Sequence, residues 1–134
     1  FDLDLAKEKS SKTPVYYVQY AHARISSILA KSEIKNQGSG VNLELLTTNY
    51  ELNLIKQIAK LGELIEDICR NFAVHQLTGY SIDLADSFHK FYENCRVLGE
   101  KEDLMKARLA LCQATRITLA NTLGLLGVKA PKKM

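Results

Sequence analysis

Tyr17, Tyr20 and Arg24 stand at positions i, i+3 and i+7 of a segment whose apolar residues recur with a helical period. That spacing puts the three side chains within about 60° on one side of an α-helix, with Tyr16 beside them. Rings and a guanidinium on one face suit unstacked RNA bases. The rings offer stacking surfaces, the hydroxyls hydrogen-bond base edges, and the guanidinium stacks or grips phosphate. Each stacked base contributes about 1–3 kcal/mol. The same pattern also fits tyrosines that border a core with only their rims exposed, and spacing alone favours that plainer reading.

Other residues capable of chemistry are more isolated. His22 falls between Val15 and Leu29 inside the apolar face of the same helix, which predicts a core histidine satisfied by a buried partner. Arg108 lies within the apolar stripe of a later helix, so pairing with an acidic residue across the bundle is expected rather than a ligand contact. His75 and His89 have no companions at useful spacing. Cys69, Cys95 and Cys112 are widely separated, odd in number and without C-x-x-C or His at zinc-ligand spacing. They read as buried thiols in a reducing compartment, which places the chain in the cytoplasm. No Gly-rich phosphate loop, paired-histidine metal helix or nucleophile elbow is present, so the chain alone is expected to catalyse nothing.

The elements that must position these residues are helical. With 134 residues and 46 % hydrophobic content, the chain fits one domain with a working core. No apolar run reaches the roughly 18 residues that a membrane span requires. Phe1-Asp2-Leu3-Asp4-Leu5 is neither an initiator methionine nor a signal sequence, and reads as the start of an excised piece. Thr13 as N-cap and Pro14 at the first helical position predict a helix from Pro14 to about Ser32. Asn36 to Gly40 reads as a turn-rich loop. Thr48-Asn49-Tyr50-Glu51 reads as a capping box opening a second helix, which Gly62 is expected to weaken or divide. A further helix is expected over Ser81–Val97, with Asp83 and Asp86 in its first turns. In the last helix Leu104, Leu111, Thr115, Leu119, Thr122 and Leu126 share one stripe, and Gly127 closes it. The expected fold is an all-α bundle of four to five amphipathic helices.

Net charge is +3, unevenly spread. Residues 1–40 carry six Lys/Arg against four Asp/Glu, residues 41–100 five against nine, and residues 101–134 seven against two. If the chain ends meet, their charges form one basic surface suited to a polyanion. On charge alone a scattered solvated surface is the better reading.

The residues also resemble a family. The opening run Phe1 to Lys7, followed by Pro14-Val15-Tyr16-Tyr17-Val18-Gln19-Tyr20-Ala21-His22-Ala23-Arg24-Ile25, looks like the segment joining the catalytic and anticodon-binding domains of arginyl-tRNA synthetases. Asp83-Leu84-Ala85 and Phe88-His89-Lys90-Phe91-Tyr92-Glu93-Asn94-Cys95 fit the same family's middle helices. Arg108-Leu109-Ala110-Leu111, Leu125-Leu126-Gly127-Val128 and Ala130-Pro131-Lys132-Lys133-Met134 are similar to the way those enzymes finish. Lys132 and Lys133 depart from a position that is often acidic. Val74 stands where many relatives have a proline.

The resemblance implies the C-terminal anticodon-binding domain of a class I aminoacyl-tRNA synthetase, spanning 1–134, with 1–12 as the linker from an absent catalytic domain. It implies RNA contacts by Tyr17, Tyr20, Arg24, Met134 and, on a later helix, Tyr92. The implied partners are the anticodon loop of tRNA for arginine and the chain's own catalytic domain, with neither DNA nor membrane. The implied reaction is arginine–tRNA ligation. ATP serves it in the catalytic domain, no cofactor or metal is expected in this portion, and the synthetase's adenylate-binding motifs are missing here. Three rivals remain: a helical protein-interaction module using the Tyr17/Tyr20 face, a purely structural bundle, and the similar domain of a related synthetase.

Overall fold

A computed structural model describes residues 14–32 and 40–134. The expected linker 1–12, the Thr13 cap and most of the Asn36–Gly40 loop lie outside them. Among the described residues the fold is four α-helices and a short 3-10 turn at Leu43–Leu45. The helices are α1 (Pro14–Lys31), α2 (Asn49–Asn71), α3 (His75–Asn94) and α4 (Glu102–Leu125). Helices α3 and α4 pack on each other, on α1 and on α2, whereas α1 and α2 take opposite sides of that pair. Buried residues of all four helices form one core that includes Val18, Ile25, Leu54, Leu84, Phe88, Leu109 and Leu119. No helix among the described residues is long and apolar enough to cross a membrane.

Helix α2 starts as its sequence dictates. The Thr48 hydroxyl accepts the Glu51 N–H at 3.2 Å, and Glu51 Oε1 accepts the Thr48 N–H at 3.1 Å. The N–H of the cap residue and that of Glu51, otherwise without a helical partner, are thereby satisfied. Helix α2 then runs through Gly62 without a break. The reason is a stripe that continues across the glycine: Leu54 is buried, and Ile58, Leu61 and Leu64 pack on the core from the same side. One exposed glycine costs about 1 kcal/mol relative to alanine, which this packing outweighs.

Helix α3 begins at His75, earlier than the expected Ser81, and ends at Asn94 rather than Val97. Its first residue follows Val74, which offers no side-chain cap. The turn is instead set by Phe72, whose left-handed backbone (φ 59°) ends α2 and whose N–H reaches the Ile68 carbonyl at 2.8 Å. Leu77 and Tyr80 bury the additional turns. Asp83 and Asp86 therefore lie in mid-helix, not at its start. Glu51 meets Arg108 across the bundle at 3.1 Å, as the position of Arg108 in an apolar stripe required. Cys95 and Cys112 are buried, but Cys69 is exposed on α2, contrary to the expectation of three buried thiols.

Candidate nucleic-acid interface

Helix α1 buries Val18, Ala21, Ile25 and Ile28 and turns its neighbouring stripe onto α3. Tyr17 donates its hydroxyl to Asp86 Oδ1 at 2.6 Å. Burial, and then that bond to a carboxylate, push the Tyr17 phenol well above its ordinary pKa. The Tyr17 ring lies tilted against His89 with centroids 5.5 Å apart, and Tyr20 stacks on the same imidazole at 5.5 Å and 21°. Arg24 donates from Nη1 to His89 Nδ1 at 3.1 Å. A guanidinium can only donate, so Nδ1 must accept and the neutral ring carries its proton on Nε2. The Arg24 guanidinium carbon also sits 4.9 Å from the Tyr92 ring centroid, and Tyr92 stacks on Phe88 at 5.9 Å and 18°. His89 thus joins both tyrosines and the arginine, while the Phe88–Tyr92 pair flanks them.

The chain returns to this face after α4. Gly127 adopts φ 73°, its N–H reaches the Gly124 carbonyl at 3.0 Å, and the Val128 N–H reaches Leu123 at 2.9 Å. This is the Schellman pattern, and it reverses the chain where a glycine is needed. Residues 128–134 then run back beside α1. The carbonyl of Pro131 lies 2.8 Å from His22 Nδ1, and Gln19 Nε2 donates to the Lys129 carbonyl at 3.0 Å. Burial lowers the His22 pKa; the Pro131 bond opposes this in part, and Arg116 and Lys132 add to the lowering. His22 is thus the partnered core histidine that its place on the apolar face predicts.

Between α1 and this tail lies a depression of about 520 Å³, lined by Tyr20, Ala23, Arg24, Ser27, Lys31, Lys132, Lys133 and Met134. Arg24, Lys31, Lys132 and Lys133 bring four cationic side chains to this lining, and no Asp or Glu is part of it. A second hollow across the tail continues the basic surface to Arg116. Cations from the first helix and the last segment therefore meet on one side of the molecule. Such a surface can neutralise phosphates while Tyr92, half-buried at its edge through Arg24, offers part of a ring.

Residues 18–134 match the family model described as the DALR anticodon binding domain. The chain belongs to that family. An arginine–tRNA ligase of Moorella thermoacetica is 51 % identical over 140 residues, taking in 100 % of this chain and 25 % of the relative. One from Dehalococcoides mccartyi strain BAV1 is 48 % identical over 135 residues, again all of this chain and 24 % of the relative. The chain therefore spans about a quarter of the length of the curated relatives it matches. Among solved structures, the arginyl-tRNA synthetase of Plasmodium falciparum superposes with a TM-score of 0.77 at 37 % identity, over 88 % of this chain and 21 % of that one. The Thermus thermophilus arginyl-tRNA synthetase gives 0.76 at 37 %, over the same shares.

Within this DALR domain the expected residues do gather, but not all as open surface. Tyr17 and Tyr20 are only 2 % and 4 % exposed, Arg24 and Tyr92 are half-buried, and Met134 is 47 % exposed. Tyr20, Arg24 and Met134 line the depression, Tyr92 adjoins it through Arg24, and Tyr17 lies beneath, held by Asp86. His89, which its sequence neighbours left unassigned, is the hub. The available signal was its α3 stripe, Asp86-x-x-His89-x-x-Tyr92, facing the Tyr17/Tyr20/Arg24 stripe of α1. Among the described residues no group of His, Cys, Asp or Glu could hold a metal ion.

Proposed function

We propose that this chain holds the anticodon loop of tRNA for arginine. Catalytic parts outside it would then attach arginine to the tRNA 3′ end, consuming ATP and releasing AMP and pyrophosphate. The reading is carried by one observation: Arg24, Lys31, Lys132 and Lys133 surround a single depression that also presents Tyr20 and Met134. The lysines meet backbone phosphates, and Arg24 offers a guanidinium already stacked on Tyr92. Tyr92 and Met134 supply apolar surface for a splayed base, Tyr20 forms the floor, and Tyr17 positions Tyr20 and His89 from below. Single-stranded RNA fits better than duplex DNA, because aromatic surfaces need bases that are already unstacked. Membership of a family described as anticodon-binding, and likeness to arginine–tRNA ligases along the whole chain, support the same reading. A protein-interaction module on the Tyr17/Tyr20 face would need rings that stand open, and these do not. In the full-length protein residues 1–12 would be the link to the catalytic domain, 1–134 would act as one module, and the setting would be the cytoplasm.

The test is fluorescence anisotropy with a labelled anticodon stem-loop of tRNA for arginine, beside a stem-loop of altered anticodon. The cognate loop should bind preferentially, and Arg24→Lys and Tyr92→Leu, checked for folding by circular dichroism, should abolish the preference. Equal binding of both loops, unchanged in the two folded variants, would reduce the site to a basic surface and refute the anticodon reading.

A further inference from the structure

We infer that Gln19 and His22 act as a two-point clamp that fixes residues 128–134 on α1, and so set where Lys132, Lys133 and Met134 stand at the RNA face. The RNA half of this inference rests on the function proposed above; the clamp itself does not. Gln19 and His22 lie at i and i+3, one turn apart on the same side of α1. They meet the carbonyls of Lys129 and Pro131, alternate residues of the tail. Val128, before the first of these, and Ala130, between them, are partly buried against the core. Four consecutive residues are thus held alternately by a side chain in the core and a carbonyl on α1.

Both bonds end on main-chain oxygens, so the clamp reads the path of the tail and not its side chains. A carbonyl only accepts, hence His22 Nδ1 must carry the proton. Burial and the neighbouring Arg116 and Lys132 favour this neutral ring. Lys132, Lys133 and Met134 follow the second bond, and all three line the depression with Arg24. Gln19 and His22 do not line it. They are positioning residues, acting on RNA only through the tail.

The experiment uses the 134-residue chain in four forms: wild type, Gln19→Glu, His22→Leu and His22→Asn. Glutamate keeps the shape of Gln19 but loses the donor, and asparagine returns an N–H near the imidazole Nδ1 position. Cleavage by a lysine-specific endoprotease after Lys129 tracks the population in which the tail has left α1. Each lost bond should speed that cleavage roughly two- to tenfold, with His22→Asn close to wild type. Anticodon stem-loop affinity should fall in parallel. In a chain lacking residues 129–134 the same substitutions should change affinity no further. Should His22→Leu fail to fold, Gln19→Glu, at a half-buried position, still decides the matter. Cleavage rates unchanged by the lost donors would overturn the clamp, whatever the RNA result. Equal affinity losses with and without the tail would overturn the positioning role. A wild-type chain that binds no stem-loop would refute the anticodon reading, and the cleavage arm would still decide the clamp.

Discussion

Replacing Arg108 by methionine should reverse the sign of the domain's pH dependence as well as weaken it. Arg108 crosses from α4 to the start of α2, where Nε donates to Glu51 Oε2 at 3.1 Å. Its Nη1 donates to the Arg96 carbonyl at 2.6 Å and lies 3.8 Å from Glu100. Glu51 is fully buried. Burial pushes its carboxyl up, but the Thr48 hydroxyl and N–H and the Arg108 guanidinium together hold the pKa below its ordinary 4.5. In the wild type this carboxylate therefore contributes stability that is present above pH 4.5 and lost as pH falls through the lowered folded value. Arg108→Met leaves a buried carboxylate with Thr48 alone and orphans the Arg96 carbonyl. Removing one partner of a buried pair costs about 3–5 kcal/mol, out of a typical total of about 5–15. For a chain of this size that lowers Tm on the order of 10–20 °C. With the cation gone, desolvation dominates and the Glu51 pKa rises, so the variant should lose stability as pH climbs above 4.5. Urea unfolding followed by circular dichroism between pH 4 and pH 7 measures both effects. Adding Glu51→Gln keeps the capping acceptor, removes the charge and should recover part of the loss. A loss under about 1 kcal/mol, or an unchanged pH slope in Arg108→Met, would refute the reasoning.

Other outcomes follow from single features. Gly127→Ala meets no crowding but must hold φ 73°, so it should cost about 1–2 kcal/mol in thermal melts; no loss would mean the reversal tolerates a side chain. His22, with its pKa lowered from 6.5, should give stability that is complete above that value and declines as pH falls below it. His22→Asn should flatten that slope in thermal melts between pH 5 and 7, and an unchanged slope would assign it to another group. Iodoacetamide should label Cys69 in the native chain, and Cys95 and Cys112 only in denaturant; for Cys112, burial pushes the thiol up to about 12, which slows labelling further. Changing Lys132 and Lys133 together to glutamine should reduce the slope of log affinity against log salt by about 1.4 for single-stranded RNA, and an unaltered slope would place phosphate binding elsewhere.

The readable parts of the sequence were those whose cause is local. The Thr48–Glu51 capping box, the Gly127 reversal and the apolar stripes of α1 and α4 each depend on residues within a turn or two of one another. His22 and Arg108 were readable for a related reason: a polar group within an apolar stripe demands a partner, although the stripe cannot say which one. The start of α3 was hidden because Val74 is no capping residue and the preceding turn rests on Phe72 in a left-handed conformation that sequence patterns assign to glycine or asparagine. Asp83 and Asp86 then looked like a first turn, when Asp86 is in fact the acceptor for Tyr17. Gly62 looked like a break because its cost is local, whereas the packing that overrides it comes from α3 and α4. Cys69 was misplaced because cysteine identity says little about which face of α2 it occupies.

The tyrosine stripe shows why the location of a site is more legible than its exposure. The wheel places Tyr17, Tyr20 and Arg24 beside the apolar face of α1, and a stripe in that place serves either solvent or the next helix. Here α3 supplies His89, whose ring accepts contacts from both tyrosines and a hydrogen bond from Arg24, so the rings are used in holding two helices together. Arg24 stays half-buried because a guanidinium has more donors than one imidazole nitrogen can satisfy. Lys132, Lys133 and Met134 arrive on a tail that has no helical hydrogen bonds of its own. On the proposed function this divides the work. Tyr17, His89 and Tyr20 make a stiff platform, and the side chains that meet RNA are those the platform and the clamped tail hold at its edge. Such an arrangement favours discrimination over raw affinity, because a base must fit between groups whose positions are already fixed.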